Sequence, residues 1–116
     1  MFYTFTQNNS GGFDIRNDYI SEYVIVEGDD YSDIIHRALD VGIYFNGVRE
    51  NIDCECCGDR WSKPSDDDDL DTVPAVYGKS VKPLVDKSNT SNVVIHYQNG
   101  SRKYGTYRYR LQLLGS

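Results

Sequence analysis

The sequence predicts an α+β fold in which a small antiparallel sheet is packed by one main helix over about 30–41 and closed by a C-terminal β-hairpin over about 92–114. Two runs, Phe2–Gln7 and Tyr23–Glu27, have the aromatic and β-branched composition of strands. Between 30 and 41 the apolar residues recur at the spacing of one helical face. Asn99-Gly100 then separates Asn92–Tyr97 from a returning run rich in Tyr and Leu, which is a hairpin pattern.

Each element has a local reason. FYTFTQ breaks at Asn8-Asn9-Ser10-Gly11-Gly12, where turn formers accumulate. YVIVE stops at Gly28, and the two strands are expected to pair in one sheet. Asp29 or Asp30 offers a carboxylate N-cap, and Tyr31, Ile34, Ile35, Ala38, Leu39 and Val41 form the apolar face. Asp33 suits the positive end of the helix dipole, and Gly42 suits a left-handed residue past the helix end. Ile43-Tyr44-Phe45 reads as a short strand, completing a β-β-α-β opening. Residues 46–63 are polar and irregular, and 62–72, with Asp66 to Asp69 in a row, read as an acidic flexible loop or linker within a single domain, 1–116. Short apolar pieces at Val73–Tyr77 and Val81–Val85 precede the hairpin. Asn99-Gly100 supplies the positive φ angles of a two-residue type I′ turn. Tyr107, Tyr109, Leu111 and Leu113 share a parity that Tyr104 does not, so a bulge is expected at Gly105.

A chain of 116 residues buries enough surface to fold without disulfide staples. It carries ten Tyr against four Phe and one Trp, and Tyr suits half-buried strands and wet recognition surfaces. There is no basic region followed by an apolar run, and no stretch approaches the roughly 18 apolar residues of a membrane span, so a cytosolic protein with no membrane partner is expected. The sequons at Asn8 and Asn89 are then incidental. Three cysteines crowded at 54, 56 and 57 indicate free thiols or a metal site rather than a disulfide framework.

Charge divides the chain. Residues 1–78 hold five Lys/Arg and seventeen Asp/Glu, whereas residues 79–116 hold seven Lys/Arg and one acid, within a total of −6. An acidic total disfavours non-specific duplex DNA binding, which draws its affinity from neutralised phosphates. A local basic and aromatic strand still suits a small anion or a nucleotide.

Cys54, Cys56 and Cys57 are close enough in sequence to reach one soft cation, zinc being the natural one, although a closed zinc site needs four protein ligands. His36, His96, Asp53, Asp59 or a partner subunit are the available fourth donors; ordinary reduced cysteines in a tight turn are the competing reading. Cys54 and Cys57 also form C-x-x-C, without the preceding apolar strand and helix of a redox site. Arg60 and Trp61 suit a planar base or an anion, or else a core plug and a salt bridge. The loop Asn8, Asn9, Ser10, Gly11 presents backbone N–H groups as a phosphate nest would, or is a plain hairpin loop. Asp67, Asp69 and Asp71 lack the Gly and closing Glu of a calcium loop. Tyr104 and Arg108 belong to an Arg/Tyr strand able to stack bases and meet phosphates. His36 and His96 have no nucleophile motif near them, so an enzyme is not expected.

FYTFTQNNSGG, YVIVE, GIYFNG and DCECCGDRW, in that order, resemble a family of small uncharacterised proteins from tailed bacteriophages. The resemblance covers roughly residues 2–61, and the C-terminal half reads as an individual extension. It implies a four-cysteine set, of which this chain has Val48 at the fourth position. It also implies a phage accessory protein in the bacterial cytoplasm. The expected function is stoichiometric binding in host takeover or counter-defence, with sequestration of a nucleotide-like signal. The alternatives are an acidic inhibitor docking on a host or defence protein and a zinc-stabilised module. A homo-oligomer is compatible with each.

Overall fold

The structure is a computed structural model and describes residues 1–8, 12, 14–65 and 67–108. Tyr23–Glu27 (β2) is apolar at four successive positions and buried on both faces, as a central strand must be. Phe2–Thr6 (β1) pairs with it antiparallel, Phe5 opposite Val24. Its other neighbour is Val93–His96 (β5), which runs parallel to it with Ile25 opposite Ile95. Arg102–Gly105 (β6) pairs antiparallel with β5, giving the order β1-β2-β5-β6. The sheet is therefore mixed, which corrects the expected antiparallel one. A parallel pair needs a long crossover, and residues 28–92 supply it.

The helix, Tyr31–Asp40 (α1), is closed at both ends by the residues that marked it in the sequence. Asp30 accepts a hydrogen bond from the Asp33 N–H at 2.9 Å, and Asp33 reaches back to accept from the Asp29 N–H at 2.9 Å. Past the C-terminus, the Gly42 N–H bonds Leu39 O and the Ile43 N–H bonds Ala38 O, with Gly42 at φ 111°. That is a Schellman closure. It turns Ile43 into the core beside the helix, so the strand expected at 43–45 does not form. Leu39, placed on the apolar face by its spacing, is half exposed.

Strict alternation along β2 builds two cores. Val24 and Val26 join Phe5, Ile34, Ala38 and Trp61 on one side. Tyr23 and Ile25 join Phe2, Val76, Val81, Val93 and Ile95 on the other. The second side is roofed by a hairpin that composition did not announce, Ala75–Val76 (β3) with Lys79–Ser80 (β4). Its two-residue turn is Tyr77-Gly78, at φ 50° and 80°, the positive pair that a type I′ turn requires.

That geometry had been expected at Asn99-Gly100. There the register pairs His96 with Arg102, and the Tyr97 N–H bonds Ser101 O. The Gly100 N–H closes a turn on Tyr97 O, and Gly100 alone of the two takes positive φ. Asn99 instead accepts from both the N–H and the hydroxyl of Ser101, which holds it as a local cap. The ladder continues in regular register to Val93–Gly105, without the bulge expected at Gly105. Beyond it, the Asn92 side chain stands in for backbone, accepting from the Tyr107 N–H and donating to Tyr107 O, both at 2.8 Å. Tyr109, Leu111 and Leu113, expected in the returning strand to 114, lie outside the described residues.

The acidic segment is more tethered than its composition suggests. Phe2 and Asp71 exchange both backbone hydrogen bonds, at 2.7 and 2.8 Å, Leu70 packs against the core, and Asp68 accepts from the Ser65 N–H. Asp68 and Asp71 are thus held at the outer edge of β1, while Asp67 and Asp69 are exposed.

Gly105 marks where the chain beyond β4 crosses β6. A Cβ there would run into the Val81 side chain and stand 3.2 Å from Lys82 O, while Leu84 and Tyr104 bond each other across the same edge. Gly105→Ala is expected to destabilise the fold by about 1–3 kcal/mol through overpacking. The midpoint of urea unfolding is the measurement, and an unchanged midpoint would show that the segment yields.

Candidate functional site

The loop from Tyr44 to Trp61 has no strand or helix, and its order comes from side chains that replace backbone partners. Asp53 is the hub: Oδ1 accepts from the Tyr44 hydroxyl and Oδ2 from the Arg60 N–H, both at 2.8 Å. Gly47 lies so close that a Cβ would land on the Asp53 carboxylate, and its carbonyl accepts from the N–H groups of Ile52 and Asp53. Burial, reinforced by the bond to Asp53, pushes the Tyr44 hydroxyl pKa up. Asp59 accepts from the Val48 N–H at 2.9 Å, pinning the far side of the loop.

Within this frame the cysteines sit on one tight turn. The N–H groups of Cys57 and Gly58 both donate to Cys54 O at 3.1 Å, and Gly58 takes φ 84°. Asn8 clamps the turn from β1's end, its Nδ2 donating to Cys57 O at 2.8 Å and Asp59 O at 3.2 Å. The three sulfurs lie within 4.8 Å of one another, within reach of one metal ion. Among the described residues none of the expected fourth donors joins them: His36 is on the exposed side of α1, His96 bonds Tyr19 O, and Asp53 and Asp59 face the loop backbone. Hydrogen bonding from Cys56, side chain first and then backbone, lowers the Cys54 thiol pKa, whereas the neighbouring sulfurs push Cys56 up to about 11.

The other residues singled out in the sequence fall into different places. Asn8 and Arg60 do meet, the Asn8 N–H donating to Arg60 O at 2.8 Å. The Arg60 guanidinium donates to Gln7 Oε1 at 3.0 Å, and the buried Gln7 amide serves Ile15 and Ser21 as well. Arg60 is thereby part of the scaffold. Trp61 is 1% exposed and lies in the helix-side core, so it offers no face to a ligand; its indole N–H has no acceptor among the described residues. Tyr104, 7% exposed, donates its hydroxyl to Asp18 O and accepts from Arg102 Nε, which likewise removes it from any stacking surface. Asn9, Ser10 and Gly11 lie outside the described residues, as does Asp66. Arg108 is exposed.

Arg108 lines a cavity of about 320 Å³ with Lys79, Ser80, Thr106 and Tyr107. Beside it Tyr77 meets the Tyr107 ring edge-on at 5.7 Å, and both rings pack on Tyr23. Tyr77 is 72% exposed although its backbone is left-handed, an arrangement that costs about 1–2 kcal/mol for a non-glycine residue. Lys79, Ser80 and Tyr77 were not candidates in the sequence because the β3–β4 hairpin was not recognised. The change of charge sign at residue 79 was the available signal.

A model of the family described as Domain of unknown function (DUF7296) matches residues 1–112. The chain belongs to that family. The DUF7296 match passes through the cysteine turn and all of β6, so the C-terminal half belongs to the family's domain and is not an individual extension. No curated protein and no solved structure matches the chain. No helix among the described residues is long and apolar enough to cross a membrane.

Two outcomes test this arrangement. Asp53→Ala removes the acceptor of Tyr44 and of the Arg60 N–H, and is expected to cost about 1–3 kcal/mol. Amide exchange should accelerate over 44–60 and change little in β2. The second concerns His96, whose Nε2–H donates to Tyr19 O at 2.8 Å while its ring stacks on Tyr19. The Arg102 guanidinium lies 4.5 Å from the Tyr19 ring centre, and Arg37 and Asp40 line, with His96 and Arg102, a separate cavity of about 190 Å³. Burial first, then Arg102, lowers the imidazole pKa against the opposing effect of the Tyr19 carbonyl. The unfolded chain therefore takes up the proton first as pH falls below about 6.5, and stability declines from there down through the folded pKa. Replacing His96 by Gln is expected to flatten that part of a stability–pH profile, leaving the carboxylate-driven loss at lower pH in place.

Proposed function

We propose that this protein works by stoichiometric recognition of a nucleotide-like ligand, as an accessory protein of a tailed bacteriophage engaged in host takeover or counter-defence. The observation that carries the recognition is the cavity between β4 and the residues after β6. Lys79 and Arg108 bring two cations to it, Ser80 and Thr106 bring hydroxyls, and Tyr107 forms an aromatic wall continued by the exposed Tyr77. Its volume stands at the small end of ligand clefts, roughly 300–1,000 Å³. Guanidinium and ammonium groups suit phosphate, and tyrosine faces suit a base. The phage setting rests on the resemblance of the N-terminal motifs and DCECCGDRW. Zinc at the cysteine turn is compatible with this reading and not required by it. The reading assigns no catalytic step.

A second reading has its own support. The acidic segment held along β1 brings Asp69 and Asp71 to a groove of about 190 Å³ shared with Tyr3, Thr6 and Tyr77. A negatively charged, aromatic groove on a fixed edge suits a basic segment of a host or defence protein, with association that weakens as salt rises.

Calorimetric titration with linear and cyclic nucleotides discriminates the two. Binding at one site per chain is expected, weakened roughly tenfold or more by Arg108→Ala or Lys79→Ala, since each removes a charge-assisted hydrogen bond. Absence of heat with every nucleotide would remove the first reading. Charge reversal across Asp66–Asp69 should leave nucleotide binding intact and weaken capture of a protein partner.

A further inference from the structure

We propose that Cys54, Cys56 and Cys57 form a three-thiolate site for one soft divalent cation of the zinc class, with a coordination position left open to solvent. A tetrahedral thiolate centre with metal–sulfur bonds of about 2.3 Å holds its sulfurs about 3.8 Å apart. Cys56 and Cys57 are already at 3.6 Å, and all three sulfurs lie within 4.8 Å. Rotation of exposed side chains closes the remaining difference.

The frame beneath the sulfurs is what distinguishes this cluster from thiols gathered by chance. Three independent parts hold the backbone of the turn: the paired N–H groups on Cys54 O, the Asn8 amide on Cys57 O and Asp59 O, and the Asp53 carboxylate on the Arg60 N–H. None of these uses a sulfur. The loop is therefore positioned without the metal, and the sulfurs remain available at the surface, Cys54 and Cys56 being exposed. Binding replaces three S–H bonds by three metal–sulfur bonds, with the protons released to the buffer. Because no fourth donor joins the cluster among the described residues, the last position is occupied by water or by a ligand from outside.

Disulfide formation is the competing chemistry. Cys56 and Cys57 are adjacent, and a trans peptide fixes their Cα atoms about 3.8 Å apart, below the usual disulfide range. Under reducing conditions the pairings of Cys54 are also open, leaving the site to the cation.

Cobalt(II) titration of the full-length reduced protein tests the proposal, because thiolate-to-cobalt charge transfer reports sulfur ligation and d–d band intensity reports tetrahedral geometry. One cobalt per chain with both signatures is expected, and zinc should displace it stoichiometrically. Each of Cys54→Ser, Cys56→Ser and Cys57→Ser should weaken binding tenfold or more while circular dichroism stays unchanged. Added imidazole should shift the d–d bands by entering the open position. A missing charge-transfer band, or one that survives the serine substitutions, would overturn the site. One metal per two chains, or bands indifferent to imidazole, would overturn the open position.

Discussion

Val24 and Val26 face the helix while Tyr23 and Ile25 face the β3–β4 hairpin, so a one-residue slip of β2 would exchange the contents of two cores. This double burial governs the rest of the molecule. It demands a partner on each edge, which β1 and β5 supply, and a cover on each face. The helix and the Trp61 loop cover one face; Val76 and Val81, at the base of and just beyond the small hairpin, cover the other. The parallel pairing with β5 follows from the same demand, because the intervening chain must pass over the faces before the sheet can be completed.

The loop that carries the cysteines is organised by a different kind of force. A backbone without ladder or helix must still satisfy its donors and acceptors, and here a few polar side chains do it. Gln7 and Asn8 at the end of β1 reach across to residues 57–60, and Asp53 and Asp59 close the loop on itself. Trp61 anchors the loop's end in the helix-side core, and Tyr44 and Phe45 pack its start against the same core. Thiols at the surface of such a loop inherit a fixed geometry without contributing to it.

Polarity of charge along the chain becomes polarity in space only locally. Acidic residues 69 and 71 line one groove with Tyr77, and Lys79 and Arg108 line a cavity with Tyr107, whose ring packs on Tyr77. The strained tyrosine thus touches the acidic groove directly and the basic cavity through Tyr107, close to the sheet's second core through Tyr23. A residue held in an unfavourable backbone conformation, with most of its ring in solvent, is maintained by the hairpin around it and not by its own preference.

Strand and helix positions were legible because burial leaves a direct mark on composition: FYTFT and YVIVE, the Asp30 cap, the helical spacing and Gly42 each act within a few residues. The crowding of the cysteines was legible for the same reason. Whether β2 and β5 ran parallel depended on the path of more than sixty intervening residues, and no local pattern encodes that. The type I′ turn at Tyr77-Gly78 was hidden because tyrosine rarely takes positive φ by itself, while Asn99 found a local cap instead. Trp61 and Tyr104 had the chemistry of binding residues and the burial of core residues, a choice made by neighbours distant in sequence. By itself the sequence determined β1, β2, β5 and the helix, since those preferences are short-ranged. Only the tertiary structure decided strand direction, which aromatic rings reach solvent, and that Arg108 stands beside Lys79, because each depends on contacts closed over long stretches of chain.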